Sequence, residues 1–342
     1  MTVTELKTKI KTSDIRGAYI FSGEEDYLKR YYSSEFVKIC CPDEAFATFN
    51  HIVFDGADVD IADISESIKS PPMMSDFKLI EWKYPDLENM KESDKKLIEE
   101  IAESLSEYPY IVLILFADMD GFNPGTAKRP SKLSQRFSKN FNVINFEKST
   151  DAQLIAWLKR HFDAEGIGVE SDTLSSLIFR SGHSMEILSS EVDKLSAYAK
   201  ANKLEVITKK EINLVASATL ECDAFALSTA VTDKNREKAF TALTDMAQKR
   251  IDAGAVLATL ARSFGEIITV ALMLEEGKDP KDIENTLGWN QYKIKICINS
   301  ARKWGVQKLS SAMSRLRELD GKSKSGGISG YKSVELFICQ YI

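Results

Sequence analysis

Tyr110-Ile111-Val112-Leu113-Ile114-Leu115-Phe116 is the most apolar run in the chain, and it narrows the choice of fold. It is short, rich in β-branched residues, and bounded by Pro109 and Ala117-Asp118. A run of that kind reads as a strand buried on both faces, the centre of a parallel sheet. Four further strands are predicted at 18–21, 50–54, 77–82 and 141–146. Helical patterns fill the gaps between them, at 4–13, after Leu28 to about 39, at 58–68, at 91–105 and at 132–139. In the 91–105 helix Leu97, Ile98, Ile101 and Leu105 fall on one face. Five strands alternating with helices describe a doubly wound α/β domain over 1–147.

After Phe146 the strands stop. Leu154, Ile155, Trp157, Leu158 and Phe162 mark a helix over 151–164. A second follows at 171–180, and Gly182 breaks the pattern. A third spans 184–200, with Ile187, Leu188, Val192 and Leu195 at helical spacing, and Thr208 caps a short helix at 210–215. From Asp223 the chain is helical nearly to its end, at 225–231, 236–248, 255–275, 280–287, 291–303, 306–319 and 332–341. A Gly-Ser-rich loop at 321–330 precedes the last of these. The expected class is therefore α/β plus all-α, with domains at 1–147, 148–217 and 218–342.

The formal net charge of −6 supplies no global basic field for tight nucleic-acid binding. Cys40, Cys41, Cys222, Cys297 and Cys339 form no CxxC pair, as expected for reduced thiols in a cytoplasmic protein. No second ligand cluster accompanies the vicinal Cys40-Cys41, so no metal is expected. No apolar segment of signal-peptide type opens the chain, and no apolar run is long enough to span a bilayer, so no membrane association is expected.

A sheet followed by a small helical domain is a nucleotide-binding layout, with the phosphate cradle after the first strand. The P-loop needs G-x-x-x-x-G-K-[ST]. This chain offers Gly23-Glu24-Glu25-Asp26, with one glycine and three consecutive carboxylates. Two like charges 4 Å apart repel by about 4 kcal/mol at an effective dielectric of 20. The acids equally suit the start of a helix, whose dipole favours them. The third strand exits into Lys83-Tyr84-Pro85 rather than a magnesium-binding acid pair. Asp118 and Asp120 follow the fourth strand, where turn or cap duty is the usual one. His51, His161 and His183 lie far apart in sequence, and no G-x-S-x-G or H-E-x-x-H occurs. As a catalyst the sequence is empty.

Ser70-Pro71-Pro72-Met73-Met74-Ser75-Asp76 stands apart. The prolines end the preceding helix and set a rigid corner. The paired Met residues after them have two readings. They tuck into their own domain, or they form an adaptable apolar tip that fills a pocket on a partner.

Several stretches together resemble the delta subunit of the bacterial DNA polymerase III clamp loader. Ala18-Tyr19-Ile20-Phe21-Ser22-Gly23-Glu24-Glu25-Asp26-Tyr27-Leu28 is similar to that family's opening strand and its G-E-x-x-[YF]-L turn. Pro72-Met73-Met74-Ser75-Asp76-Phe77 resembles its P-x-F-s segment. Gly182-His183-Ser184-Met185-Glu186-Ile187-Leu188, with Glu191 and Lys194-Leu195, resembles its G-N-D-L-R-x-L helix. Asn290-Gln291-Tyr292-Lys293-Ile294-Lys295 resembles its P-Y-x-x-K patch, and Asp320 with Lys324-Ser325-Gly326-Gly327 its D-x-x-x-K-x-G end. The matches run the length of the chain in order.

The resemblance implies an AAA+-like sheet domain, a small helical lid and a helical collar that joins a five-subunit assembly. It implies no ATPase activity and no cofactor. The opening and loading of the ring-shaped sliding clamp (beta) onto primed DNA is the implied task. The implied partners are that clamp and the delta-prime and gamma/tau subunits, with DNA reached through the complex. The clamp-binding doublet falls on Met73 and Met74, flanked by Pro72 and Ser75, where the family more often has Leu or Phe. Met is softer and loses more side-chain entropy when fixed, which lowers the expected affinity. Glu186 stands where active relatives carry an Arg for the γ-phosphate, and no Ser-Arg-Cys is present. Lys293 and Lys295, with Arg302 and Lys303, are either phosphate contacts inside the loader or a solvated face. Two other classes stand beside this reading: a degenerate ATPase using Asp118 or Asp120, and a DNA-binding replication scaffold.

Overall fold

The computed structural model describes residues 1–126, 128–328 and 330–342. These fall into two compact units, Met1–Ser149 and Thr150–Ile342. The first edge lies two residues from the expected one at 147, and the expected boundary at 217 lies inside the second unit.

In the first unit, α1 (Val3–Lys11) leads to β1 (Gly17–Ser22), α2 (Asp26–Cys40), a 3-10 turn, and α3 (Ala47–Asn50). Then come β2 (His51–Asp55), α4 (Ile61–Lys69), β3 (Lys78–Lys83), α5 (Glu92–Ser104) and β4 (Ile111–Phe116). A two-residue hairpin, β5 (Gly125–Thr126) with β6 (Arg129–Pro130), precedes α6 (Lys132–Phe137) and β7 (Asn142–Asn145). The main sheet is parallel with order β2-β3-β4-β1-β7. This is the expected parallel five-stranded sheet with helices between its strands.

β4 is buried along its whole length between β3 and β1. Its alternate residues feed two cores, as a period of two requires. Ile111, Leu113 and Leu115 join Ile64, Ile68, Ile98 and Phe137 from α4, α5 and α6. Val112 and Ile114 join Leu6, Tyr32 and Phe36 from α1 and α2. One expectation fails here. Leu97 is 46% exposed, because the buried face of α5 is carried by Ile98, Ile101 and Ala102.

The second unit opens with α7 (Asp151–Ala164), capped by a Thr150–Gln153 box. It continues through β8 (Gly168–Val169), α8 (Ser171–Ser181), α9 (Met185–Ala201), β9 (Val206–Ile207) and α10 (Lys209–Val215). β8 and β9 pair in parallel, so strands do not stop at Phe146; two residues are too few to carry a readable period. Leu188, Val192 and Leu195 are buried on α9, whereas Ile187 is exposed.

The remaining helices are α11 (Leu220–Thr232), α12 (Arg236–Gln248), α13 (Ala253–Glu275), α14 (Pro280–Leu287), α15 (Gln291–Lys324) and α16 (Gly330–Tyr341). The two helices expected at 291–303 and 306–319 are both present within α15 and meet at Gly305, whose φ of 68° and ψ of 169° are not helical and suit glycine. α15 also takes in Gly321–Lys324, so the expected loop begins later, at Ser325; Ser329 lies outside the described residues. α13 is long and apolar enough to cross a membrane by length and composition, contrary to the sequence reading. It carries Arg262 and Glu266, and it buries Leu260, Phe264, Ile267 and Val270 in a core shared with Leu309, Leu316 and Phe337.

Candidate docking loop and phosphate loop

α4 ends at Lys69, and the chain reaches β3 only at Lys78. Three side chains clasp the intervening loop. Lys78 is buried at the start of β3 and donates through Nζ to Ser67 O at 2.7 Å and to Ser70 Oγ at 2.5 Å. It thereby caps the open carbonyl end of α4, and burial lowers its pKa from the ordinary lysine value. Asn50 bonds both backbone groups of Met73. Ser75 Oγ donates to Cys40 O at the end of α2, at 2.7 Å. The loop is therefore tied to α2, α3 and α4.

What it presents is apolar. Met73 is 44% exposed and Met74 79%, so the doublet does not tuck into its own core. Met74 has φ of 53°, in the left-handed region that non-glycine residues seldom occupy. Pro72 and Ser75 flank the doublet and are half-buried.

On β3, after the loop, lies a polar cluster that the sequence reading missed. Glu81 is buried in the middle of β3, accepting from Ser33 Oγ at 2.6 Å, with His51 Nε2 at 3.2 Å and Lys83 Nζ at 3.6 Å. Burial pushes its carboxyl up, but the hydrogen bonds with His51 and Ser33 and the charge of Lys83 outweigh that and hold it below the ordinary range. The available signal was a lone acid within the apolar strand Leu79-Ile80-Glu81-Trp82.

The turn at Gly23–Asp26, expected as a degenerate phosphate loop, packs against its own chain. A Cβ on Gly23 would stand 2.5 Å from both Asn145 Oδ1 and Phe146 O, so the end of β7 and the residue after it fill the space beside it. The amide of Glu25 donates to Phe146 O at 2.9 Å. The three acids point to different duties rather than forming one acidic face. Glu24 pairs with Lys148 at 3.2 Å, Glu25 is buried, and Asp26 opens α2 paired with Lys29 at 2.8 Å. Burial is the chief reason that the Glu25 carboxyl is raised.

Lys29 follows Gly23 by six residues, the spacing of the P-loop lysine, with Leu28 and Arg30 in place of the glycine and the hydroxyl residue. Its ammonium is fully buried, donates to Ala117 O at 2.9 Å, and lies 5.2 Å from the Phe116 ring centre. Asp118 Oδ1 accepts from Gly121 N–H at 2.7 Å, as a turn residue does.

In the second unit Lys293 is not a solvent-facing cation. Its Nζ sits 2.8 Å from Glu221 and 2.9 Å from Glu266, over the Trp289 and Phe225 rings. Burial pushes its pKa down, but the two carboxylates outweigh it and raise it. Lys293 is thus neither on a solvated face nor open to a phosphate in this structure: its side chain is held by Glu221 and Glu266 inside the bundle. Lys295 is half-exposed and pairs with Asp172 at 2.5 Å, and Lys303 pairs with Asp233 at 2.6 Å. Among the described residues no group of three or more His, Cys, Asp or Glu could hold a metal ion.

Comparison with known proteins converges on one family. The model described as "DNA polymerase III, delta subunit" matches residues 19–147, and that described as "DNA polymerase III delta subunit, C-terminal domain" matches 221–341. The DNA polymerase III subunit delta of Bacillus subtilis is 21% identical over 345 residues, covering 99% of this chain and 97% of its own. The probable DNA polymerase III subunit delta of Aquifex aeolicus is 23% identical over 315 residues, covering 90% and 85%. The solved structure of the Bacillus subtilis DNA clamp loader delta protein shares the fold, with a TM-score of 0.59, 20% identity and 99% coverage of both chains. With the matching models falling on both the sheet unit and the helical bundle, the chain belongs to the DNA polymerase III delta subunit family.

Proposed function

We propose that this chain is the non-catalytic delta subunit of a clamp loader, and that its Met73-Met74 tip binds and opens the sliding clamp. The single observation that carries the reading is the clasped, outward-facing doublet, tied at Met73 by Asn50 and at Ser75 to Cys40. Family membership supports association with the other loader subunits, delta-prime and gamma/tau, within the polymerase III holoenzyme. Primed DNA is reached through the assembled complex. On this reading residues 148–217 act as the lid and 218–342 as the collar, and the protein works in the cytoplasm.

Opening works by differential binding. The tip shifts the ring toward an open form only by its difference in affinity for the two forms. With half of Met73 and most of Met74 left to bury, the doublet supplies about 2–4 kcal/mol. ATP use is disfavoured by Gly23 packed on Phe146 and by Lys29 spent on Ala117 O and Asp26. A DNA-binding scaffold is disfavoured by the paired state of Lys293, Lys295 and Lys303.

The test places fluorophores across the clamp's subunit interface and adds this chain without nucleotide. Separation of the fluorophores is the expected result. No separation, together with thermal protection of the chain by Mg-ATP, would overturn the proposal in favour of the degenerate ATPase.

A further inference from the structure

Asn50 ends α3 and is almost wholly buried. Its amide nitrogen donates to Met73 O at 2.7 Å, and its amide oxygen accepts from Met73 N–H at 2.7 Å. One side chain thus satisfies both backbone groups of Met73, as a neighbouring strand would. α3 and the loop are tied together at that point by two hydrogen bonds.

The residue immediately before Asn50 is Phe49, and it is 54% exposed. Consecutive Cα atoms are about 3.8 Å apart, so Phe49 stands one residue from the side chain bonded to Met73. Core packing does not account for a large aromatic left this open. Aromatic side chains are also the type that most often dominates interface energy. Added to two flexible methionines, Phe49 would supply what they lack: a large apolar surface with only two side-chain torsions to freeze.

We propose that Phe49 is a third contact residue of the same docking surface, held in register with Met73 by the Asn50 amide. Its occupant is the apolar surface of the ring-shaped clamp beside the pocket that takes Met73 and Met74. The inference rests on the reading of the doublet given above. Connection to the loop through Asn50 distinguishes Phe49 from Leu97, which is also about half exposed but lies on α5.

The experiment titrates the full chain, without nucleotide, into the clamp of the same organism, and records the thermal melt of each variant. Native chain, Phe49→Ala, Leu97→Ala and the Met73→Ala/Met74→Ala double variant are compared. Phe49→Ala is expected to weaken binding by about tenfold or more with an unchanged melt, while Leu97→Ala binds as the native chain does. If the native chain binds, the double variant loses binding and Phe49→Ala binds normally, the Phe49 inference is wrong and the doublet stands. If the double variant binds as tightly as the native chain, or the native chain does not bind, the doublet reading fails and this inference with it.

Discussion

Met74 offers a substitution pair in which stability and binding move separately. Its φ of 53° places Cβ against the following carbonyl, a strain of about 1–2 kcal/mol for an L-residue. Ala at this position keeps the Cβ and the strain, whereas Gly removes both. Glycine's larger entropy in the unfolded chain opposes the gain by about 0.5–1 kcal/mol. Because the Met74 side chain is 79% exposed, its removal takes little packing from the folded state. Met74→Gly is therefore expected to exceed Met74→Ala in stability by about 0.5–1 kcal/mol, or about 1–4 °C in the melting of a unit of this size. Both variants lack the side chain and both should bind the clamp more weakly than the native chain. Scanning calorimetry and a clamp titration read the two effects. A Gly variant no more stable than the Ala variant would refute the left-handed backbone at the tip. Undiminished clamp binding by both would refute a role for the Met74 side chain.

Other perturbations follow from the buried charges. Lys29→Ala leaves Asp26 and Ala117 O without their cation and opens a cavity, and should cost about 2–4 kcal/mol in a urea titration; Lys29→Met, which keeps the volume, should cost less. Lys293→Ala strands Glu266 in the bundle and should cost about 3 kcal/mol or more, while leaving the salt dependence of loader–DNA binding unchanged. His183 Nε2 lies 2.7 Å from Asp151 Oδ1, a bond that raises the histidine and lowers the acid. The histidine's contribution is complete below its ordinary pKa of 6.5 and is lost as pH rises through the raised folded value. The acid's contribution is present above 3.8 and is lost as pH falls through its lowered value. Urea midpoints of native and His183→Gln chains should thus differ most between those limits and converge at alkaline pH. A constant gap at high pH would contradict the assignment.

The elements legible in the sequence were those with long periods or hard stops. The strand at Ile111–Phe116 follows from its apolar run, and the helix over Asp151–Ala164 from its apolar stripe and its Thr150 cap. The Pro71-Pro72 corner placed the Met tip on the page as one of two readings. Periodicity reports which face is apolar but not how far the neighbouring element covers it, which is why Leu97 and Ile187 are exposed. Nor does it report which polar groups meet. Asn50 lies 23 positions from Met73, Ser33 48 from Glu81, Lys293 72 from Glu221, and Lys29 88 from Ala117. Those pairings exist only once the chain has folded, and they decide that the Lys293 and Lys29 ammonium groups are internal.

The central claim is that an apolar doublet, not nucleotide chemistry, is the working part of this chain. Calorimetric titration of the purified chain into its own sliding clamp, without nucleotide, tests it most directly when run beside the Met73→Ala/Met74→Ala variant. The account predicts binding by the native chain and a loss of about thirtyfold or more in the folded variant, the equivalent of the 2 kcal/mol at the low end of the doublet's burial. Equal binding by both chains, or binding that appears only with ATP, would contradict it.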